Sequence, residues 1–137
     1  MSYASIGEAL QVALSLTTSS QAREDAINYL ESHREPEVID ALIALLETDD
    51  AGVRWKAADA LAKMGKQALA PLLRALRDKS ESRWLLEGAS HIFHSNRDPD
   101  VARMTERLCA AMKGPGAYMA TVAAAGELLV KLAEEGA

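Results

Sequence analysis

Apolar residues recur at spacings of three and four along nearly the whole chain, and the same apolar set returns about every 30 residues. Moved back by 31, Ala57, Leu61, Leu69, Leu73 and Leu76 land on Ala26, Leu30, Val38, Leu42 and Leu45. An Arg-Trp pair opens both VRWKAADALAKMG (53–65) and SRWLLEGASHIFH (82–94). Moving forward by that pair's spacing of 29 carries Ala57 to Leu86, Ala60 to Ala89 and Met64 to Phe93. The stretch that follows needs 32, taking Leu69 to Val101, Leu72 to Met104 and Leu76 to Leu108, which puts three extra residues at the Ser95–Asp98 turn. A period of this length holds two helices, and one such pair cannot bury its apolar face without the next. The expected fold is therefore all-α, an α-solenoid of about eight helices in four antiparallel pairs, forming a single domain over residues 1–137.

The punctuation agrees. Helices are expected near 3–16, 20–33, 36–47, 50–64, 67–77, 80–95, 98–113 and 116–134. Glu35-Pro36-Glu37 and Asp98-Pro99-Asp100 each place proline at a first helical position, beside acids that favour the positive helix end. Gly65 suits a C-terminal cap, Gly114-Pro115-Gly116 breaks the chain, and TTSS (17–20) and DKSES (78–82) offer capping side chains. Repeats fall near 20–48, 49–79 and 80–113, flanked by the helices at 3–16 and 116–134.

Composition narrows the class. The chain is 49% hydrophobic and 26% charged, which is too apolar for disorder. Only 4% is aromatic, and the Ala- and Leu-rich remainder favours helix. No stretch approaches the ~20 apolar residues that span a bilayer, and MSYASIGEAL lacks the features of a secretion signal, so neither membrane nor export is expected. Cys109 is the one cysteine; it reads as a buried, inert thiol in a reducing, cytoplasmic setting. The net charge of −5 speaks against a nucleic-acid partner. That charge is uneven: residues 1–48 hold 8 acidic and 2 basic groups, residues 49–137 hold 12 and 13.

DDAGVRWKAADALAKMGKQALAPLLRAL (49–76) resembles the short HEAT-like repeat of phycobilisome lyases: an acid, then Val-Arg, small residues, Ala-Leu-x-x-Met-Gly and a Leu-rich second helix. The resemblance is closest there, looser over 20–47 and 80–113, and does not extend to 1–16 or 116–137. It implies a scaffold whose second helices line a concave face. It implies either a non-catalytic protein-interaction module or adaptor, or a bilin lyase or bilin-binding accessory protein. It also implies that Arg54 and Arg83 form a ladder to acids of adjacent repeats.

Placed on a helical wheel, Val53, Ala57, Ala60, Leu61 and Met64 face inward, and Lys56, Asp59, Lys63 and Lys66 outward. Trp55 and Trp84 are expected to seal the same inter-repeat edge twice. The sharpest chemical pattern is EGASHIFH, where Glu87, His91 and His94 share a stripe with metal-ligand chemistry. The spacing is poor for one ion, and a polar stripe with Arg83–Glu87 and Glu87–His91 pairs is the plainer expectation, with no metal and no cofactor. His33 closes its helix as a cap. No phosphate loop, nucleophile elbow or Cys–His arrangement appears.

In the architecture the resemblance implies, the concave face takes helices 36–47, 67–77 and 98–113. Outside their core positions stand Asp40, Ile43 and Glu47, then Ala70, Pro71, Arg74 and Arg77, then Arg103, Glu106, Arg107 and Lys113. An acidic or phosphorylated protein segment is the expected partner, held by Arg74, Arg77, Arg103 and Arg107, with Asp40 and Ile43 at the acidic end of the groove. The terminal helices carry few charges, only Glu8 in 3–16 and only Glu127 and Lys131 in 116–133, so a homodimer through a terminal helix is expected as well.

Overall fold

A computed structural model describes residues 3–79, 82–96, 98–113 and 116–136. Among them run nine helices: α1 Ile6–Leu14, α2 Ser20–Leu30, α3 Pro36–Leu45, α4 Ala51–Met64, α5 Lys66–Lys79, α6 Arg83–Ser95, α7 Pro99–Met104, α8 Glu106–Lys113 and α9 Ala117–Gly136. Side chains that accept from orphan amides start most of them. Ser5, Ser19, Asp50, Ser82 and Asp98 cap α1, α2, α4, α6 and α7. Pro36 and Pro99 fill first helical positions, where the missing N–H costs nothing. Gly65 separates α4 from α5 at φ +61° and ψ −133°, a conformation that glycine adopts without a Cβ clash. The capping positions expected at Ser80 and Glu81, the centre of the break at Gly114-Pro115, and Arg97 in the turn after α6 lie outside the described residues.

The helices stack as an α-solenoid. α4 packs between α2 and α6 in one layer, α5 lies against α3 in the other, and α1 closes the first end over α2 and α3. Ile27, Leu30, Leu42, Leu46, Leu61, Leu72, Leu73, Leu76 and Leu85 are fully buried along this seam. Burying one such side chain is worth about 1.5–3 kcal/mol, so the seam supplies most of the driving force.

The register differs from the one the Arg-Trp pairs imply. The caps Ser19, Asp50 and Ser82 are 31 and then 32 residues apart. A shift of 32 carries the buried Val53, Ala57, Ala60 and Leu61 onto the buried Leu85, Ala89, Ile92 and Phe93. It also carries Lys66, the first residue of α5, onto Asp98, the cap of α7, so no extra residues collect at the Ser95–Asp98 turn. Arg83 and Trp84 therefore do not occupy the positions of Arg54 and Trp55; the second pair sits three residues nearer its helix start.

Arg23 is the structural counterpart of Arg54, four residues after its cap. Although only 5% exposed, Arg23 donates from Nε to the Ala13 carbonyl at 3.0 Å and from Nη2 to Thr48 Oγ1 at 3.3 Å. Arg54 donates to the Thr48 and Asp49 carbonyls at 2.8 and 3.1 Å. The Arg23 guanidinium thus meets the carbonyl end of α1, where a cation also suits the helix dipole, and that of Arg54 meets carbonyls of the loop between α3 and α4. The expected ladder of arginines to acids is replaced by one to carbonyls. Arg83 instead pairs with Glu87 of its own helix at 3.3 Å, with 84% of its side chain exposed.

Three further expectations change. The helix expected over 98–113 is broken at Thr105, with φ −97° and ψ 4°. Thr105 is buried, and both its N–H and its hydroxyl donate to the Val101 carbonyl, at 3.0 and 2.7 Å, the back-bonding that bends helices. Ile43 is only 9% exposed and belongs to the core, not the groove: α3 has α1, α4 and α5 around it, which widens its buried arc to include Ile39 and Ile43. Finally, α9, expected to flank the third repeat, packs against α5 of the second as well as against α8.

Two predictions follow from this register. Arg23→Ala and Arg54→Ala should each lower the unfolding free energy in urea by about 1.5–3 kcal/mol, the worth of charge-assisted hydrogen bonds. Arg83→Ala should cost less than about 0.5 kcal/mol; equal losses at Arg54 and Arg83 would restore the 29-residue register. The second concerns acid. Hydrogen bonds from Ser20 and the Val53 amide hold the Asp50 carboxyl below its ordinary value, and the Lys66 ammonium does the same for Asp100. A depressed folded value stabilises above the unfolded carboxylate pKa of about 4 and loses that contribution as pH falls through the folded value. Melting curves should show Asp50→Asn/Asp100→Asn losing less of its melting temperature below about pH 4 than the unsubstituted chain.

Candidate functional site

The two tryptophans converge on one place. The Arg54 guanidinium lies over the Trp84 ring, 4.2 Å from its centroid, while Trp55 meets the His91 ring edge-on at 5.2 Å. Gly88 lets α6 approach the end of α3 here: a Cβ on it would stand 3.1 Å from Leu46 Cδ2. Trp55 stays 44% and Trp84 36% exposed, so the pair fastens one edge between α4 and α6 without closing it. The expectation of one seal made twice is corrected to one joint built from both tryptophans.

Glu87, His91 and His94 turn to three different partners. Glu87 holds Arg83, His91 Nε2 meets Asp59 of α4 at 2.7 Å, and His94 Nδ1 faces the Ser90 carbonyl of its own helix at 2.7 Å. No group of three His, Cys, Asp or Glu among the described residues is placed to hold a metal ion. The expected Glu87–His91 pair gives way to the link between helices. His33 stacks on Tyr29 at 4.9 Å, and Tyr29 on Tyr3 at 5.1 Å, beside Glu35 at 3.8 Å. Half-buried Cys109 has its thiol pushed up by burial, against smaller opposing effects of Thr105 and Lys113, so it is a poor nucleophile at neutral pH.

Two of the four arginines of the expected groove share a cleft. Arg77 pairs with its neighbour Asp78 at 2.9 Å, and Arg74 is exposed on α5. Asp40 is exposed on α3, next to a buried Ile43. Arg103 and Arg107, by contrast, share a cleft of about 380 Å³ between α7–α8 and the C-terminal part of α9. Lys131 of α9 joins them, with Met104, Leu128 and Leu132 as the apolar lining and Glu106 and Glu135 beside them. Arg103 is steadied by Asp100 at 2.9 Å; no ion pair of Arg107 or Lys131 occurs among the described residues. Lys131, Leu128 and Leu132 could not be found from the sequence period, because nothing periodic says that α9 lies against α8.

A larger cleft of about 750 Å³ opens beside the ends of α2, α4 and α6. Its charges are mostly spent on one another. Lys63 holds Glu31 at 3.2 Å, Lys66 holds Asp100 at 2.9 Å, and Asp59 is taken by His91. These links join residues 32 to 34 apart and tie neighbouring helix pairs together, which marks the cleft as a seam of the stack.

No helix among the described residues is long and apolar enough to cross a membrane. No curated protein and no solved structure matches the chain significantly. A family model of HEAT repeats matches residues 8–92, the stretch from α1 through most of α6. With caps, buried leucines and inter-pair links all spaced by 30 to 32 residues over that stretch, the chain belongs to the HEAT-repeat family.

Proposed function

We propose that the chain is a non-catalytic protein-interaction module that binds an acidic segment of a partner in the cleft between α7–α8 and α9. HEAT repeats generally mediate protein–protein contacts. The observation that carries the assignment to this place is the convergence of Arg103, Arg107 and Lys131 over Met104, Leu128 and Leu132. Guanidinium forks suit carboxylates and phosphates, and the apolar lining accepts flanking side chains. The three cations outnumber Glu106 and Glu135 at the same cleft, and like-charge repulsion from the cations disfavours basic segments. The helices that carry the cations are rigid, which keeps the ordering cost of binding on the partner's side. Asp40, Arg74 and Arg77 lie outside the cleft and are not part of the proposed contact.

A library of acidic peptides with interspersed leucines and phenylalanines, with and without phosphoserine, tests the assignment. The unsubstituted chain should select acidic members in the micromolar range, with affinity falling as salt rises. Arg103→Glu/Arg107→Glu should weaken the best peptide at least about tenfold, roughly 1.4 kcal/mol, with unchanged helical circular dichroism. Arg74→Glu/Arg77→Glu should leave it within about twofold. Selection of no acidic member, or equal losses in both double variants, would refute the site. A linear tetrapyrrole should show no visible band shift on mixing; a shift would favour the bilin-binding alternative that the sequence resemblance implies.

A further inference from the structure

Asp98 accepts from the Asp100 amide and Pro99 opens α7, so Asp100 stands in the first turn of that helix with Arg103 one turn further on. Residues three apart share a side of a helix, and Arg103 Nη2 donates to Asp100 Oδ1 at 2.9 Å. The other carboxylate oxygen looks away from the helix: Oδ2 accepts from Lys66 Nζ of α5, also at 2.9 Å. An acid in the first turn suits the helix dipole on its own account, but the dipole does not require its two oxygens to be divided between cations of different helices. The hydrogen bond between them pushes the Lys66 ammonium above its ordinary value and holds the Asp100 carboxyl below its own. Arg103 lines the cleft of about 380 Å³, whereas neither Lys66 nor Asp100 does. Of the three cations at that cleft, Arg103 alone has an ion pair among the described residues.

We propose that Asp100 and Lys66 are positioning residues for this cleft: Lys66 fixes Asp100 across the seam, and Asp100 fixes Arg103 with the rest of its donor fork left for an oxyanion. The role rests on the reading of the cleft as a site for acidic groups. The Arg103 side chain is 74% exposed, and a guanidinium so placed samples many rotamers unless something holds it. A ligand that finds it already held avoids part of the ordering cost of binding. A single exposed pair holds little, but a carboxylate gripped from two helices is the network case in which such pairs count. The bond to Asp100 occupies only part of the fork, so a carboxylate or phosphate still finds donors. An acid beside a basic cleft also has an effect of opposite sign, since its charge repels an incoming anion. Holding the fork outweighs that repulsion. Lys66 belongs to the second helix pair and Asp100 to the third, so the strength of the cleft follows the register of one pair on the other.

Side-chain NMR on the full chain, titrated with inorganic phosphate at low salt and neutral pH, tests the role through the Arg103 and Arg107 Nε–H signals. Both signals should shift in the parent, with a dissociation constant in the millimolar range. Asp100→Asn should weaken phosphate about two- to fivefold, although it removes a repelling charge. In an Arg103→Gln background the same substitution, followed at Arg107, should tighten phosphate slightly, because only the repulsion is then relieved. Lys66→Met should weaken phosphate about twofold, and Lys66→Arg should restore the parent value. Lys63→Met removes an equal charge from the seam without touching Asp100 and should change nothing. All these side chains are exposed, so helical circular dichroism should match the parent throughout. An Asp100→Asn variant that binds phosphate as tightly as the parent or more so would overturn the proposal. So would a change of the same sign with and without Arg103, or a parent whose Arg103 signal does not move. A parent that selects no acidic peptide yet binds phosphate in the expected pattern would refute the peptide reading while supporting the positioning role.

Discussion

Arg23 brings a buried guanidinium onto the Ala13 carbonyl where α1 ends, and Arg54 brings a half-buried one onto the Thr48 and Asp49 carbonyls of the loop that leads from α3 into α4. Stacked helix pairs inevitably bury such ends between them, and a buried carbonyl without a donor costs about 1–3 kcal/mol. An arginine four residues after the cap of the next first-layer helix supplies donors from a fixed height. It thereby sets how far each pair slides along the one before. The leucine seam interlocks only at that height, since neighbouring rows must fall between one another. The third pair lacks the device, because its matching position is Leu86. There the stack is held instead by close approach at Gly88 and Leu46 and by the Arg54 guanidinium reaching forward onto Trp84.

That substitution of one device for another explains which parts of the fold were legible. Caps, proline positions and apolar spacing are local, and Ser19, Pro36, Asp50, Gly65, Ser82 and Pro99 stand where local chemistry put them. The register of the third pair was not legible from its most conspicuous dipeptide. Arg83-Trp84 matches Arg54-Trp55 in identity while meeting it in space, so identity pointed to 29 residues and burial to 32. The better signal was less conspicuous: Arg23 lies 31 residues before Arg54, and Val53, Ala57, Ala60 and Leu61 have apolar counterparts 32 residues on. The break at Thr105 had no glycine or proline to announce it; there a threonine hydroxyl shares the Val101 carbonyl with its own amide.

The candidate site was half legible for a related reason. Arg103 and Arg107 could be placed on an outward helical face from spacing alone, whereas joining them to Arg74 assumed that α7–α8 stacks on α5 as α5 stacks on α3. In the structure α9 takes the place against α5. That placement brings Lys131, from 24 residues further on, to the basic groups of α7–α8. A last helix that follows no repeat pattern is free to lie where its small inner residues fit, and Thr121, Ala125 and Leu128 are the ones buried.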